Sequence, residues 1–288
     1  MSALRSLLLH ARLLRPRRHP SIDVSTRHDL PRRAAITPAK VRFSRARLER
    51  LRQILGAPND GLLPPIAVQL LASPLHLELL AEPSFPLRAL GLVHVSNTID
   101  EHRALPDGLA LELEAFVEAL VSTPRGDEVT LVTEARVDGE LVYRAVTKAL
   151  QKAKQAAPRT TARAAHASPS GELARRAVIE VPEATGRRYA RVAGDLNPIH
   201  QHAWLARPFG FPRAIVHGTW TLSRALEVGR AELPQWPRTI ECNFRKPVLL
   251  PSAIAVEACR SGDALELRVS SPSDPAWEHL SARVRRLA

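Results

Sequence analysis

Asp195 and His200 are a carboxylate and an imidazole five positions apart in Ala193-Gly194-Asp195-Leu196-Asn197-Pro198-Ile199-His200. Gly194 is placed to end a helix and turn the chain sharply. Asn197-Pro198 is placed to restart one, with Asn197 as cap and Pro198 at the first helical position. Asp195 and His200 therefore flank a turn, and their side chains can converge on one point from its two sides. Such a pair, sharing one water, can orient it, accept its proton and return a proton to a nearby carbon. The same residues also suit a plain interhelical turn, with Asp195 and Asn197 capping and His200 a satisfied buried histidine. Spacing alone leaves both readings open.

A second element lies about seventeen residues on, where Ile215-Val216-His217-Gly218-Thr219-Trp220 runs into a long apolar helix. A glycine at a helix start presents an unobstructed backbone N–H. Helped by the helix dipole, the Gly218 N–H could bind a thioester carbonyl oxygen as it gains enolate charge. His217 could touch substrate, or only hydrogen-bond the backbone beside the site. Arg207, Arg213, Arg245 and Lys246 lie around these segments and could meet phosphates or an acidic carrier; each also reads as a solvated surface charge. Trp204, Trp220 and Trp236 could line a channel, although core packing explains each equally simply.

The elements that must position these residues fall into two similar series. In the first, Phe43 to Leu55 reads as a helix capped by Ser44, and Ile66 to Leu80 as a second apolar helix. Strands follow at Gly91 to Ile99, Ala110 to Leu120, Glu128 to Val137 and Glu140 to Leu150, with Asp138-Gly139 as a hairpin turn. In the second, a strand at Arg176 to Val181 precedes helices at Glu183 to Ala193, from Pro198, and at Gly218 to Glu232. Strands then follow at Arg238 to Phe244, Ala253 to Arg260, Ala264 to Val269 and His279 to Arg285. The predicted boundaries are a basic tail over 1–40, a first domain over 41–155, a Pro/Ser/Thr/Ala-rich linker over 156–172 and a second domain over 173–288. Helices followed by antiparallel meanders indicate an α+β protein, and a sheet wrapped around one apolar helix would bury most of that helix. Two such halves can pair edge to edge and remove exposed strand edges.

Composition narrows the class. The net charge of +12 suits an anionic partner, but the basic residues are dispersed and form no nucleic-acid module. No apolar run reaches the ~20 residues of a membrane span. Aromatics make up 4% of the chain, so the core must rest on Leu, Val, Ile and Ala. Cys242 and Cys259 give neither a disulfide framework nor a metal pattern, which fits a reducing cytoplasm. Met1 to Ile22 carries five arginines and no acid before Asp23, so a mitochondrial transit peptide is an alternative to a peripheral N-terminal helix.

Tyr189 to His200, with Ala206 beyond, resembles the signature of the MaoC-like, hydratase-2 family. Val216-His217-Gly218 resembles that family's second motif, and Phe244-Arg245-Lys246-Pro247-Val248-Leu249-Leu250-Pro251 its strand and turn. The match is close over roughly the C-terminal 115 residues. Pro74 to Leu77 and Gly91 to Val95 resemble the degenerate first half of double-hotdog dehydratases, without a second Gly-Asp-x-Asn-Pro-x-His. The resemblance implies a double hotdog, two antiparallel sheets each wrapped around a central helix and forming a pseudo-dimer. It implies reversible hydration of a trans-2-enoyl thioester to an (R)-3-hydroxyacyl thioester of coenzyme A or acyl carrier protein in fatty-acyl metabolism. Asp195 would orient and deprotonate water, His200 would share it and protonate C2, Asn197 would hold the turn, and Gly218 would hold the thioester oxygen. His217, Arg213 and Lys246 are the candidate substrate contacts. No metal or redox cofactor is expected, and coenzyme A enters only as part of the substrate. The first half would shape the acyl tunnel, with His76 and His94 packed or hydrogen-bonded rather than catalytic. A hotdog thioesterase and a non-catalytic acyl-binding or partner subunit are the competing readings. A homodimer is compatible with the sequence, but no feature requires one.

Overall fold

Ser44 accepts a hydrogen bond from the Arg47 N–H and starts α1 (Arg45–Leu55), which buries Leu48, Leu51 and Leu55. The computed structural model describes residues 34–36, 40–83, 85–87, 90–152 and 173–287. Most of the predicted tail, including the transit-peptide reading of Met1 to Ile22, lies outside the described residues, as does the predicted linker over 156–172. Within the tail's range, Ala34–Ile36 forms a strand, β1, paired with the later β3. Three residues are too few to show a period among the surrounding arginines.

The next helix, α2 (Ala67–Ala81), is apolar on most faces and contains Pro74. Proline has no N–H to give the carbonyl four residues back. That carbonyl, on Leu70, instead accepts from Arg47 Nη2 at 3.1 Å. Arg47 Nε also donates to the Val192 carbonyl at 2.9 Å, so one guanidinium satisfies α2 and ties it to the second half.

The first half continues through β2 (Val93–Glu101), β3 (Glu112–Thr123), β4 (Gly126–Val137) and β5 (Glu140–Lys152). Asp138 and Gly139 both adopt positive φ, 50° and 85°, between β4 and β5, the turn that Asp-Gly favours. The second half runs β6 (Ala174–Val181), α3 (Thr185–Ala193), a short α4 (Ala203–Ala206), α5 (Gly218–Val228), then β7 (Arg238–Phe244), β8 (Ser252–Ser261), β9 (Ala264–Ser270) and β10 (Glu278–Arg286).

The sheet order is β1-β3-β4-β5-β2-β7-β10-β9-β8-β6, antiparallel throughout. Read inward from each edge, the two halves have the same order, each strand of the second numbered five above its counterpart. The helices match too: α2 lies between β1 and β2 in sequence, and α5 between β6 and β7. The pseudo-dimer therefore carries two central helices, but its two sheets are one, joined where β2 pairs with β7 from Ser96↔Asn243 to Glu101↔Arg238.

This junction holds a buried ion pair. Arg238 Nε lies 2.6 Å from Glu101 Oε2 with both side chains shielded, and Thr239 Oγ1 donates to Asp100 Oδ1 at 2.8 Å. Burial pushes the Glu101 carboxyl above its ordinary value, and Arg238 works against that rise. Removing one partner would leave the other charge buried alone. Arg238→Met is therefore expected to destabilise the fold by about 3–5 kcal/mol in urea unfolding. Adding Glu101→Leu should recover most of the loss; a double variant as unstable as the single one would refute this account.

Candidate active site

The turn that carries Asp195 and His200 is built by local chemistry. Helix α3 buries Tyr189, Ala190, Val192 and Ala193, and ends at Gly194, whose φ of 80° is left-handed and whose N–H bonds back to Ala190. The N–H of Asn197 donates to Asp195 Oδ1 at 3.1 Å, which fixes the carboxylate against the turn. Asn197 Oδ1 accepts from the Ile199 N–H and starts a 3₁₀ turn over Pro198–His200, with Pro198 at its head as expected.

His200 is then held from behind. Its Nδ1 lies 2.9 Å from the Ile215 carbonyl, and a carbonyl can only accept, so Nδ1 carries the proton. Nε2 keeps its lone pair and faces Asp195 Oδ2 at 3.9 Å. That gap is too long for a direct hydrogen bond and short enough for one water to donate to both groups.

His217 completes the cluster. Its ring stacks on His200 with centroids 3.6 Å apart and meets Tyr189 edge-on at 4.9 Å. Nε2 lies 3.3 Å from the Asp195 carbonyl and 3.6 Å from Asp195 Oδ2. The sequence left His217 open between touching substrate and bonding backbone; here it braces both members of the pair and also lines the cavity. Immediately after it, Gly218 opens α5, so its N–H is among those with no acceptor within the helix. A Cβ at Gly218 would fall 2.8 Å from a Phe244 ring carbon, so this position takes no side chain without displacing Phe244.

Two cavities meet at this cluster. The outer one, about 170 Å³, is lined by His200, Gly218, Phe244 and Lys246 among others. The inner one, about 140 Å³, is lined by Gln69, Ser73, His76 and Thr147 among others. Leu92, His94, Asp195, Asn197 and His217 line both. Lys246 sits at the outer cavity with its ammonium 3.6 Å over the Trp277 ring. Arg213 does not reach either cavity: it is exposed and donates to the Pro251 carbonyl at 2.9 Å. Trp204 is exposed, and the indole of Trp220 donates to the Ile54 carbonyl within the core.

His76 and His94 differ in their surroundings. His76 is hydrogen-bonded, to Thr133 Oγ1 at 2.7 Å, but His94 opens into the cavities beside Phe244, 5.9 Å away between ring centroids. The register of β2 against β5 shifts between His94 and Ser96, and such a bulge re-aims the side chain next to it. No period-two pattern could have revealed that. Lys152, at the end of β5, joins Arg245 and Lys246 in lining the outer cavity, a basic trio assembled from both halves.

Charge states follow from burial and neighbours. Burial opposes ionisation of Asp195, but His217, His200 and the Asn197 N–H outweigh it and hold the carboxyl below its ordinary value. Burial lowers His200, with Asp195 and the Ile215 carbonyl offsetting part of the effect. Burial and the adjacent His200 push His217 down to about 3. At neutral pH the site thus holds an ionised carboxylate and neutral imidazoles. Asp195, His200 and His217 also present ligand atoms within 4.8 Å of one another, a spacing one cation could span. With Nε2–H of His217 directed at the Asp195 carbonyl, however, its lone pair lies on Nδ1, which is buried without a partner.

Residues 150–270 match the family described as MaoC like domain. Over 208 residues the chain is 31% identical to 3-hydroxyacyl-thioester dehydratase X of Mycobacterium tuberculosis, an overlap of 70% of this chain and 71% of that protein. The crystal structure of HtdX from Mycobacterium tuberculosis matches with a TM-score of 0.76 at 27% identity, over 88% of this chain and all of that one. A Mycobacterium tuberculosis protein described as having a double hotdog fold shares the architecture, with a TM-score of 0.53 at 16% identity, over 89% of this chain and 96% of that one. No helix among the described residues is long and apolar enough to cross a membrane.

The buried neutral histidines give stability a direction with pH. An unfolded histidine titrates near 6.5, whereas burial holds folded His76 at about 4 and His217 at about 3. Between those values the unfolded chain binds protons that the folded one does not, so stability falls as pH drops from about 6.5 towards 4. His76→Phe should flatten this slope in melting curves taken across that range. An unchanged slope would show that His76 is not held neutral.

Proposed function

The chain belongs to the MaoC-like dehydratase family, and we propose that Asp195 and His200 share the water it adds to, or removes from, an acyl thioester. The enzyme is a hydro-lyase of fatty-acyl metabolism, interconverting a trans-2-enoyl thioester and the (R)-3-hydroxyacyl thioester. The observation that carries the residue roles is the 3.9 Å gap between Asp195 Oδ2 and His200 Nε2, in a cavity also lined by Gly218. Water in that gap donates to both acceptors and keeps its oxygen lone pairs for C3. In hydration an O–H bond breaks and the hydroxyl joins C3. The proton passes to the Asp195–His200 pair and from it to C2.

Negative charge builds meanwhile on the thioester oxygen. The Gly218 N–H, at the positive end of α5, is the donor placed to stabilise it. Asn197 sets the carboxylate through its own N–H, and His217 acts by packing on His200 and bracing Asp195. These groups supply both proton transfers and the oxyanion donor, so we assign the reaction no metal or redox cofactor. Lys152, Arg245 and Lys246 at the outer cavity suit the phosphates of a coenzyme A or acyl-carrier thioester. The two halves of the chain both line the cavities, and a homodimer remains compatible with this arrangement. We place the protein in the cytoplasm, a reading supported by its two buried thiols, Cys242 and Cys259.

Purified protein with trans-2-enoyl-CoA should lose enoyl absorbance without releasing free thiol. Asp195→Asn should lower kcat/KM by about 10²–10⁴-fold while melting near the wild-type temperature. Gly218→Ala, pressed against Phe244, should cost about 10²-fold by displacing the donor. Thiol release without hydration would identify a thioesterase instead, and an Asp195→Asn protein as active as wild type would remove the carboxylate from the mechanism.

A further inference from the structure

The inner cavity has walls of Leu70, Leu77, Leu80 and Leu131, as an alkyl chain would require. Through them runs a polar stripe. Gln69, Ser73 and His76 lie four and then three residues apart on α2, so they share one helix face, and all three line the cavity. Asn97 and Thr147, register partners on β2 and β5, line it too.

Part of this stripe is satisfied within itself. Gln69 Nε2 donates to Asn97 Oδ1 at 3.1 Å and Thr147 Oγ1 at 3.0 Å, and Asn97 Nδ2 returns a bond to Gln69 Oε1 at 2.7 Å. Ser73 and His76 are different. The His76 ring spends Nε2 on Thr133, which leaves Nδ1 with no partner among the described residues. Ser73 Oγ has none there either, and His94 opens into the same space at the catalytic end. A plain hydrocarbon chain filling the chamber would strip water from these groups and return nothing, an unfavourable exchange.

Resting on the proposed thioester chemistry, we infer that the preferred substrate carries a hydroxyl on its acyl chain, beyond the reacting carbons, which hydrogen-bonds Ser73 and His76. A hydroxyl both donates and accepts, so it serves either tautomer of His76. The described residues lining the chamber include Asp195 and no lysine or arginine, so a carboxylate substituent is disfavoured.

The test uses saturated octanoyl-CoA and a series in which one hydroxyl moves from the fifth carbon to the last, titrated calorimetrically into the full-length protein. One member should bind about tenfold more tightly than the plain chain, the worth of one good hydrogen bond. That preference should fall towards unity in both Ser73→Ala and His76→Phe. Equal or weaker binding of every hydroxylated chain overturns the inference, as does a preference that both variants retain. The corresponding enoyl thioesters, followed by absorbance, separate the two levels. Hydration of the plain chain with no hydroxyl preference removes only the chamber's assignment. A hydroxyl preference in binding without hydration of any chain removes the proposed catalysis and leaves the chamber standing.

Discussion

The pairing of β2 with β7 is the constraint on which the rest depends. It turns two five-stranded halves into one sheet and leaves neither inner edge open. It also brings the start of β2, with Leu92 and His94, beside Phe244 at the end of β7, so the cavities draw walls from both halves. A slip by one residue would turn every side chain of β2 to the wrong face. Glu101 with Arg238 and Asp100 with Thr239 oppose such a slip, because any other register would bury charges without partners.

Around that junction the site works by controlled desolvation. Burial keeps the two stacked imidazoles, those of His200 and His217, neutral, and neutral rings can accept or hand on a proton. The same burial pushes the Asp195 carboxyl up, and the adjacent rings and the Asn197 N–H more than offset it. Charge states in the site are thus set by neighbours rather than by residue type. Rigidity comes from backbone anchors: Ile215 holds His200, and Arg47 holds α2 and α3 together.

Features carried by local chemistry were legible in the sequence. Ser44, Gly194, Asn197-Pro198 and Asp138-Gly139 each do in the structure what their types require of neighbours within four residues. That Asp195 and His200 face each other across a turn, and that Gly218 opens a helix, was legible for the same reason, since both features are local. Long-range partners were not. The apolar run from Ile66 to Leu80 predicts a helix through Pro74, but nothing near that proline shows that Arg47 will take the carbonyl it frees. His94 turns into the cavity because of a bulge that depends on β5. Arg213 stands near the motifs in sequence yet is bound outside, to Pro251, because closeness along a chain does not fix direction in space.

Two central helices of unlike sequence in one chain have a consequence for inheritance. In an assembly of identical subunits, any change to the helix over the tunnel is equally a change to the helix over the reacting carbon. Here Gln69, Ser73 and His76 on α2 are separate genetic positions from Gly218 on α5. A lineage can revise which chains it admits while leaving untouched the step it performs on them.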